Sequence, residues 1–180
     1  MRLVLILVLL LPVAVRATVV ERLTLEELVD RSPIVTHARA VRTWAAWDPQ
    51  TGAIWTHTEL LVIEGLKGGA ARSVIVSEPG GVVGEVGMAV EGVPRYRPGE
   101  EVVAFLYRTP LGLIRTRGLA QGKFTVVGDR IRVNAHGAAL IASGAASPGL
   151  RHEQLDRLPR DQFLGLVRGL LQRPAPGGRR

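Results

Sequence analysis

Residues Ile34 to Trp47, IVTHARAVRTWAAW, and Ala53 to Glu64, AIWTHTELLVIE, flank the pentapeptide Asp48-Pro49-Gln50-Thr51-Gly52. Both runs are rich in Val, Ile, Thr and Trp, and the pentapeptide has strong turn chemistry, so the stretch reads as one long β-hairpin. In the first run Thr36, Ala38 and Ala40 alternate with His37 and Arg39. Small side chains on the inward face suit the crowded interior of a narrow β-barrel. Val41-Arg42-Thr43 interrupts the alternation, where a β-bulge is expected.

Upstream, Thr24-Leu25-Glu26-Glu27 is a capping box: the Thr hydroxyl accepts from a first-turn N–H and Glu27 reaches back. Leu25, Leu28 and Val29 share one face of the short helix that follows, and Ser32-Pro33 ends it. Downstream, Leu66-Lys67-Gly68-Gly69 closes the second run and Ser73 to Ser77 is a third, short strand. A glycine-rich segment, Pro79 to Gly99, reads as a long loop. Glu101 to Tyr107 is apolar on both faces, as a strand covered on each side must be. Pro110 to Gly112 turns the chain into a strand over Leu113 to Leu119. Phe124 to Val127 and Arg130 to Val133 form a hairpin whose Gly128-Asp129 pair fits a type II′ turn.

Small residues from Asn134 to Gly149 read as a loop. Arg160 to Arg173 is the clearest helix: Phe163, Leu164, Leu166, Val167, Leu170 and Leu171 make one apolar stripe. Gly165 and Gly169 cost helix stability, which predicts close approach to another backbone there. Pro174 stops the helix, and residues Pro174 to Arg180 read as a disordered basic tail. The order is a short helix, six or seven strands and a terminal helix, without βα alternation. That predicts a mainly β fold: an antiparallel barrel with a helix from each end of the chain packed over it.

Met1 to Ala17 has Arg2, an apolar run from Leu3 to Val15 and the small-residue ending Val15-Arg16-Ala17, the pattern of a signal peptide cleaved near Ala17. An uncleaved anchor is the alternative. Residues 18–173 then form a single domain in a periplasm or outside the cell, with no second stretch of spanning length. The 180 residues contain no cysteine, which excludes thiolate catalysis, Cys-based zinc or iron–sulfur sites and disulfides. The net charge of +7 includes arginines of the leader and tail, namely Arg2, Arg16, Arg179 and Arg180. The domain itself carries too small an excess to argue for a nucleic-acid partner.

Leu25-Glu26-Glu27-Leu28-Val29, Pro33-Ile34-Val35, Val62-x-Glu64-x-Leu66-Lys67-Gly68, Pro79-Gly80-Gly81 and Pro98-Gly99-Glu100-Glu101-Val102-Val103-x-Phe105-Leu106 together resemble a group of exported bacterial proteins of unknown function. Their layout over Leu23 to Val133 is similar to the netrin-like (NTR) domain of tissue inhibitors of metalloproteinases. The resemblance implies an OB-type barrel with terminal helices. Those inhibitors chelate the target's zinc through an N-terminal cysteine held by disulfides. Here the expected first residue is Thr18 and cysteine is absent, so the resemblance carries the fold and not that mechanism.

Candidate functional residues are few. Trp44, Trp47 and Trp55 flank the first turn, either as a partner-binding or oligosaccharide-binding prong or as cross-strand packing. Arg95, Tyr96 and Arg97 are the best contact candidates of the glycine-rich segment, since Arg and Tyr dominate interface hot spots. Its glycines lack the spacing of a dinucleotide fingerprint or a P-loop. His37 and His57 lie on strands expected to pair. They read either as solvent-facing strand residues or, with Glu59, as a weak zinc site of a hydrolase. His136 and His152 join no metal motif. Glu26-Glu27 and Glu100-Glu101 read as solvated ends of elements. No catalytic residue and no cofactor is implied. The expectation is an exported, non-enzymatic binding module for a protein partner, such as a co-exported protease that it restrains. Binding of an envelope polysaccharide or other anionic polymer is the alternative.

Overall fold

The computed structural model describes residues 20–69, 71–133, 140–141 and 149–173. The expected leader, the tail, His136 and most of the stretch from Asn134 to Gly149 lie outside the described residues. Within them the chain runs β1 (Val20–Glu21), α1 (Leu25–Arg31), β2 (Ile34–Asp48), β3 (Ala53–Lys67), β4 (Ser73–Pro79), β5 (Gly81–Val83), β6 (Val86–Met88), β7 (Glu101–Arg108) and β8 (Ile114–Thr116). A 3-10 turn (Leu119–Gly122), β9 (Lys123–Val127), β10 (Arg130–Val133), β11 (Leu140–Ile141), α2 (His152–Leu155) and α3 (Arg160–Leu171) follow.

The long hairpin forms as expected, with β2 and β3 antiparallel from Asp48↔Ala53 to Val35↔Lys67. Asp48 Oδ1 accepts the Gln50 N–H at 2.8 Å and Gly52 takes a φ of +62°, so the pentapeptide turns by side-chain capping and one left-handed residue. Register shifts fall between Val35 and Thr36, His37 and Ala38, and Ala40 and Arg42. The last is the expected bulge. Such bulges bend a strand and increase its twist. The bent β2 pairs with β3 along its length and with β7 from Ile34 to Arg39. Strand β3 pairs with β4, β4 meets β8 in parallel at Val76↔Ile114, and β8 pairs with β7. Five strands thus close a ring, and β9 and β10 extend it from the free half of the β7 edge.

The ring separates two cores. Ala38, Ala40, Leu60, Val76, Val102, Ala104 and Leu106 fill its interior. Val35, Val103, Phe105, Phe124 and Val126 face outward beneath Leu25 and Leu28 of α1 and Phe163, Leu164 and Val167 of α3. Strand β7 is therefore covered on both sides. The terminal helix docks as its stripe requires, and the β9–β10 turn has its positive φ at Gly128 and not at Asp129, as type II′ demands.

The Lys67-Gly68 pair joins helix to hairpin. Lys67 Nζ donates to the Val29 carbonyl at 2.6 Å and so caps the C-terminal end of α1. Gly68 lies against the Pro33 carbonyl and Ile34 with a φ of +86°, where any Cβ would overlap the Pro33 oxygen.

Three expectations are corrected. Gly165 and Gly169 face solvent with nothing near a would-be Cβ, so no backbone approaches them. The glycine-rich segment contains a small hairpin, β5–β6. The strand expected over Leu113 to Leu119 is only β8, because the left-handed Gly118 turns the chain into the 3-10 turn. Helix α2 and the parallel β1–β11 pair went unforeseen, since two to four residues carry no periodicity.

Substituting Gly68→Ala is expected to destabilise the fold by about 2 kcal/mol or more, combining left-handed strain with overlap. Gly165→Ala, at an exposed helical site, is expected to stabilise it by about 0.5–1 kcal/mol. The midpoints of urea denaturation curves measure both.

Candidate functional site

Alternation along the hairpin assigns each tryptophan to a face. Trp44 pairs with His57 and Ala46 with Trp55, so Trp44, Trp55 and His57 project together from the outer side. Trp47 pairs with Ile54 and projects from the other side, half exposed. The three tryptophans do not form one platform. Trp44 stacks on His57 at 5.4 Å between ring centroids, and the Arg42 guanidinium lies 4.6 Å from its centroid. Trp55 donates from Nε1 to Thr51 Oγ1 at 3.2 Å and has Arg115 at 5.6 Å. His57 Nδ1 meets Ser77 Oγ at 2.8 Å, and burial pushes its imidazole pKa down.

Around this ladder the outer sheet is bare. Leu61, Ile75 and the register-shift residues Val41 and Ile63 are each about half exposed. Helix α3 covers only the other end of the same strands, where Arg168 binds Glu64 through hydrogen bonds of 3.0 and 2.6 Å. An open depression of about 670 Å³ extends from Trp44 and His57 past Ile75 and Ser77 to Gly68 and Ile114.

The three loop candidates divide. Tyr96 is only 5% exposed: it packs into the interior core and its hydroxyl meets Thr116 Oγ1 at 2.7 Å. Burial pushes its pKa well up, and it offers no surface contact. Arg95 and Arg97 are exposed and border a cleft of about 430 Å³ with Thr43, Thr56 and Thr58. Those threonines alternate with Trp44, Trp55 and His57, so the arginines and the paired tryptophans lie on opposite sides of the hairpin.

The histidines do not converge. His37 pairs with Glu64 and His57 with Trp44, seven residues apart on β3 and up to about 23 Å along it. His37 is buried, not solvent-facing, and its Nε2 meets Glu101 Oε1 at 2.8 Å; Glu101 also binds Arg39 at 2.8 Å. Glu59 faces Arg42 at 3.6 Å. Among the described residues no three His, Cys, Asp or Glu side chains gather as metal ligands.

Two buried charges had been missed. Glu78 accepts the Thr116 N–H at 2.6 Å and pairs with Arg115 at 3.2 Å, while burial raises its pKa. Lys123 Nζ binds Glu100 at 2.7 Å and the Arg95 carbonyl, and burial lowers its pKa. Lys67 and Lys123 are the only lysines of an arginine-rich chain, a signal that could have marked Lys123 but not Glu78. A compact ammonium fits between backbone carbonyls where a planar guanidinium does not.

No family model, curated protein or solved structure matches this chain. Among the described residues no helix is long and apolar enough to cross a membrane.

His152 gives a pH handle on the fold. Its Nε2 lies 2.9 Å from the Gln121 carbonyl and so carries the proton; Nδ1 is buried without a partner among the described residues, and the ring stacks on Phe124. Burial therefore lowers its pKa below the ordinary 6.5. A folded pKa below the unfolded one gives stability that is complete above the unfolded pKa and lost as pH falls below it. Between pH 7 and 5 the wild-type unfolding free energy is expected to fall, by no more than about 1.4 kcal/mol per pH unit for this one proton. In His152→Gln the slope should be shallower, as read from denaturation curves at each pH.

Proposed function

We propose that this chain is an exported, non-enzymatic binding module with an OB/NTR-like barrel, and that it holds a protein partner on the bare outer face of β2, β3 and β4. The observation that carries this reading is the half-exposed apolar set Val41, Leu61, Ile63 and Ile75, on the outer face that also carries Trp44 and Trp55, with the Arg42–Glu59 pair between them. Contiguous exposed apolar area costs solubility and marks interaction sites. Aromatic and arginine anchors beside it are the composition of interface hot spots. Five strands closed into a ring, with helices packed on its outside, support the OB-type reading. The apolar leader and its small-residue ending support export.

Polysaccharide stacking is the weaker alternative. A sugar needs a free aromatic face, whereas Trp44 already contacts His57 and Arg42, and Trp55 has Arg115 beside it. A hydrolase at His37 and His57 lacks support because the strand register sets them apart. A co-exported protease restrained by surface contact is the partner class proposed here.

The test is capture of a partner from an envelope extract of the source cell by wild-type protein and by a Leu61→Asp/Ile75→Asp variant. Both positions are exposed, so the variant should keep its melting temperature. The wild type is expected to retain a defined protein that the variant binds at least tenfold more weakly. Equal retention by both, or capture of glycan alone, overturns the reading.

A further inference from the structure

On the other side of the hairpin the ring interior opens into the cleft bordered by Arg95 and Arg97, between the β5–β6 hairpin and the segment that follows it. Ligand sites often occupy the mouths of barrels, in cavities of roughly 300–1,000 Å³. At about 430 Å³ this cleft is within that range.

Its polar groups are unequally supplied. Thr43 and Thr58 hydroxyls meet each other at 3.1 Å, and Thr56 donates to the Gly80 carbonyl at 2.6 Å. The Tyr96 hydroxyl is taken by Thr116, and both oxygens of Glu78 are occupied by the Thr116 N–H and Arg115. With these hydrogen bonds satisfied internally, the floor asks for no polar ligand atom. The walls are Val82, Met88, Val90 and Val93. Val82 and Val90 remain exposed in a chain whose other cores are filled. Arg95 and Arg97 border the cleft and are exposed, and neither forms an ion pair with a carboxylate among the described residues. The neighbouring Glu100 is taken by Lys123 Nζ and by the Arg97 backbone N–H. Unspent positive charge at the entrance and apolar walls within define a ligand with an anionic head and an apolar body. The cleft's volume equals that of roughly fourteen liquid-water molecules at about 30 Å³ each, enough for a short chain and its head.

We infer that this cleft is a binding site for a small anionic amphiphile, an apolar chain ending in a carboxylate or a similar anion, with its head between Arg95 and Arg97. The site goes beyond the partner reading and uses different residues on the opposite side of the hairpin. Loss of either function leaves the other intact.

Decanoate, titrated calorimetrically into the full-length mature protein below its micelle concentration, is the probe. Binding at one site per chain is expected, at least tenfold tighter than that of decanol. Arg95→Gln/Arg97→Gln, two exposed positions, should bring decanoate down to the affinity of decanol at an unchanged melting temperature. Val93→Trp, which fills the cleft, should abolish binding of both. Absence of saturable binding, equal affinity for decanoate and decanol in the wild type, or unchanged decanoate affinity in either variant overturns the site. Decyltrimethylammonium binding as tightly as decanoate overturns it as well, since the rim would then not select negative charge.

Discussion

The bend of β2 is the constraint on which the architecture rests. Its Val35 belongs to the core under the helices, while Ala38 and Ala40 belong to the core inside the ring. One strand can serve both only if it pairs with β3 and β7 at once while curving. The three register shifts between Val35 and Arg42 supply that curvature. Alanine at 38 and 40 is the matching sequence condition, because a larger side chain at either fully buried position would collide within the ring.

The same bend determines which surfaces remain open. One end of the β2–β3 outer face receives α3 and the other end is left with Trp44, Trp55, Leu61 and Ile75 at the surface. On the inner side the strands run past the filled core into the threonine-floored cleft. A single hairpin therefore presents two chemically distinct faces, one apolar with aromatic and arginine anchors, the other a lodged cavity with a cationic rim.

Charge placement follows a similar division of labour. Arginines lie mainly at the surface, in ion pairs such as Arg168–Glu64 and Arg31–Glu27 that contribute little each in water. The two lysines instead join elements, half-buried Lys67 at the end of α1 and buried Lys123 between Glu100 and the Arg95 carbonyl. Removing either would leave carbonyl groups that no arginine geometry satisfies equally well.

Local chemistry was enough to read the capping box at Thr24, the 48–52 turn, the bulge near Val41, the small inward face of β2, the β9–β10 turn and the apolar stripe of α3. Each depends on neighbours in the chain: periodicity, a cap, a glycine at a required φ. Tertiary packing alone decided the rest. It buried His37 and Tyr96, which their sequence surroundings present as ordinary strand and loop residues. It left Gly165 and Gly169 facing water and separated His37 from His57, whereas the odd spacing of Trp44 and Trp47 on one strand already put them on opposite faces. Register and ring closure are set by contacts between residues far apart in the chain. A shift of one residue in register reverses every face assignment, and for that reason the composition of a strand cannot say which of its side chains meet.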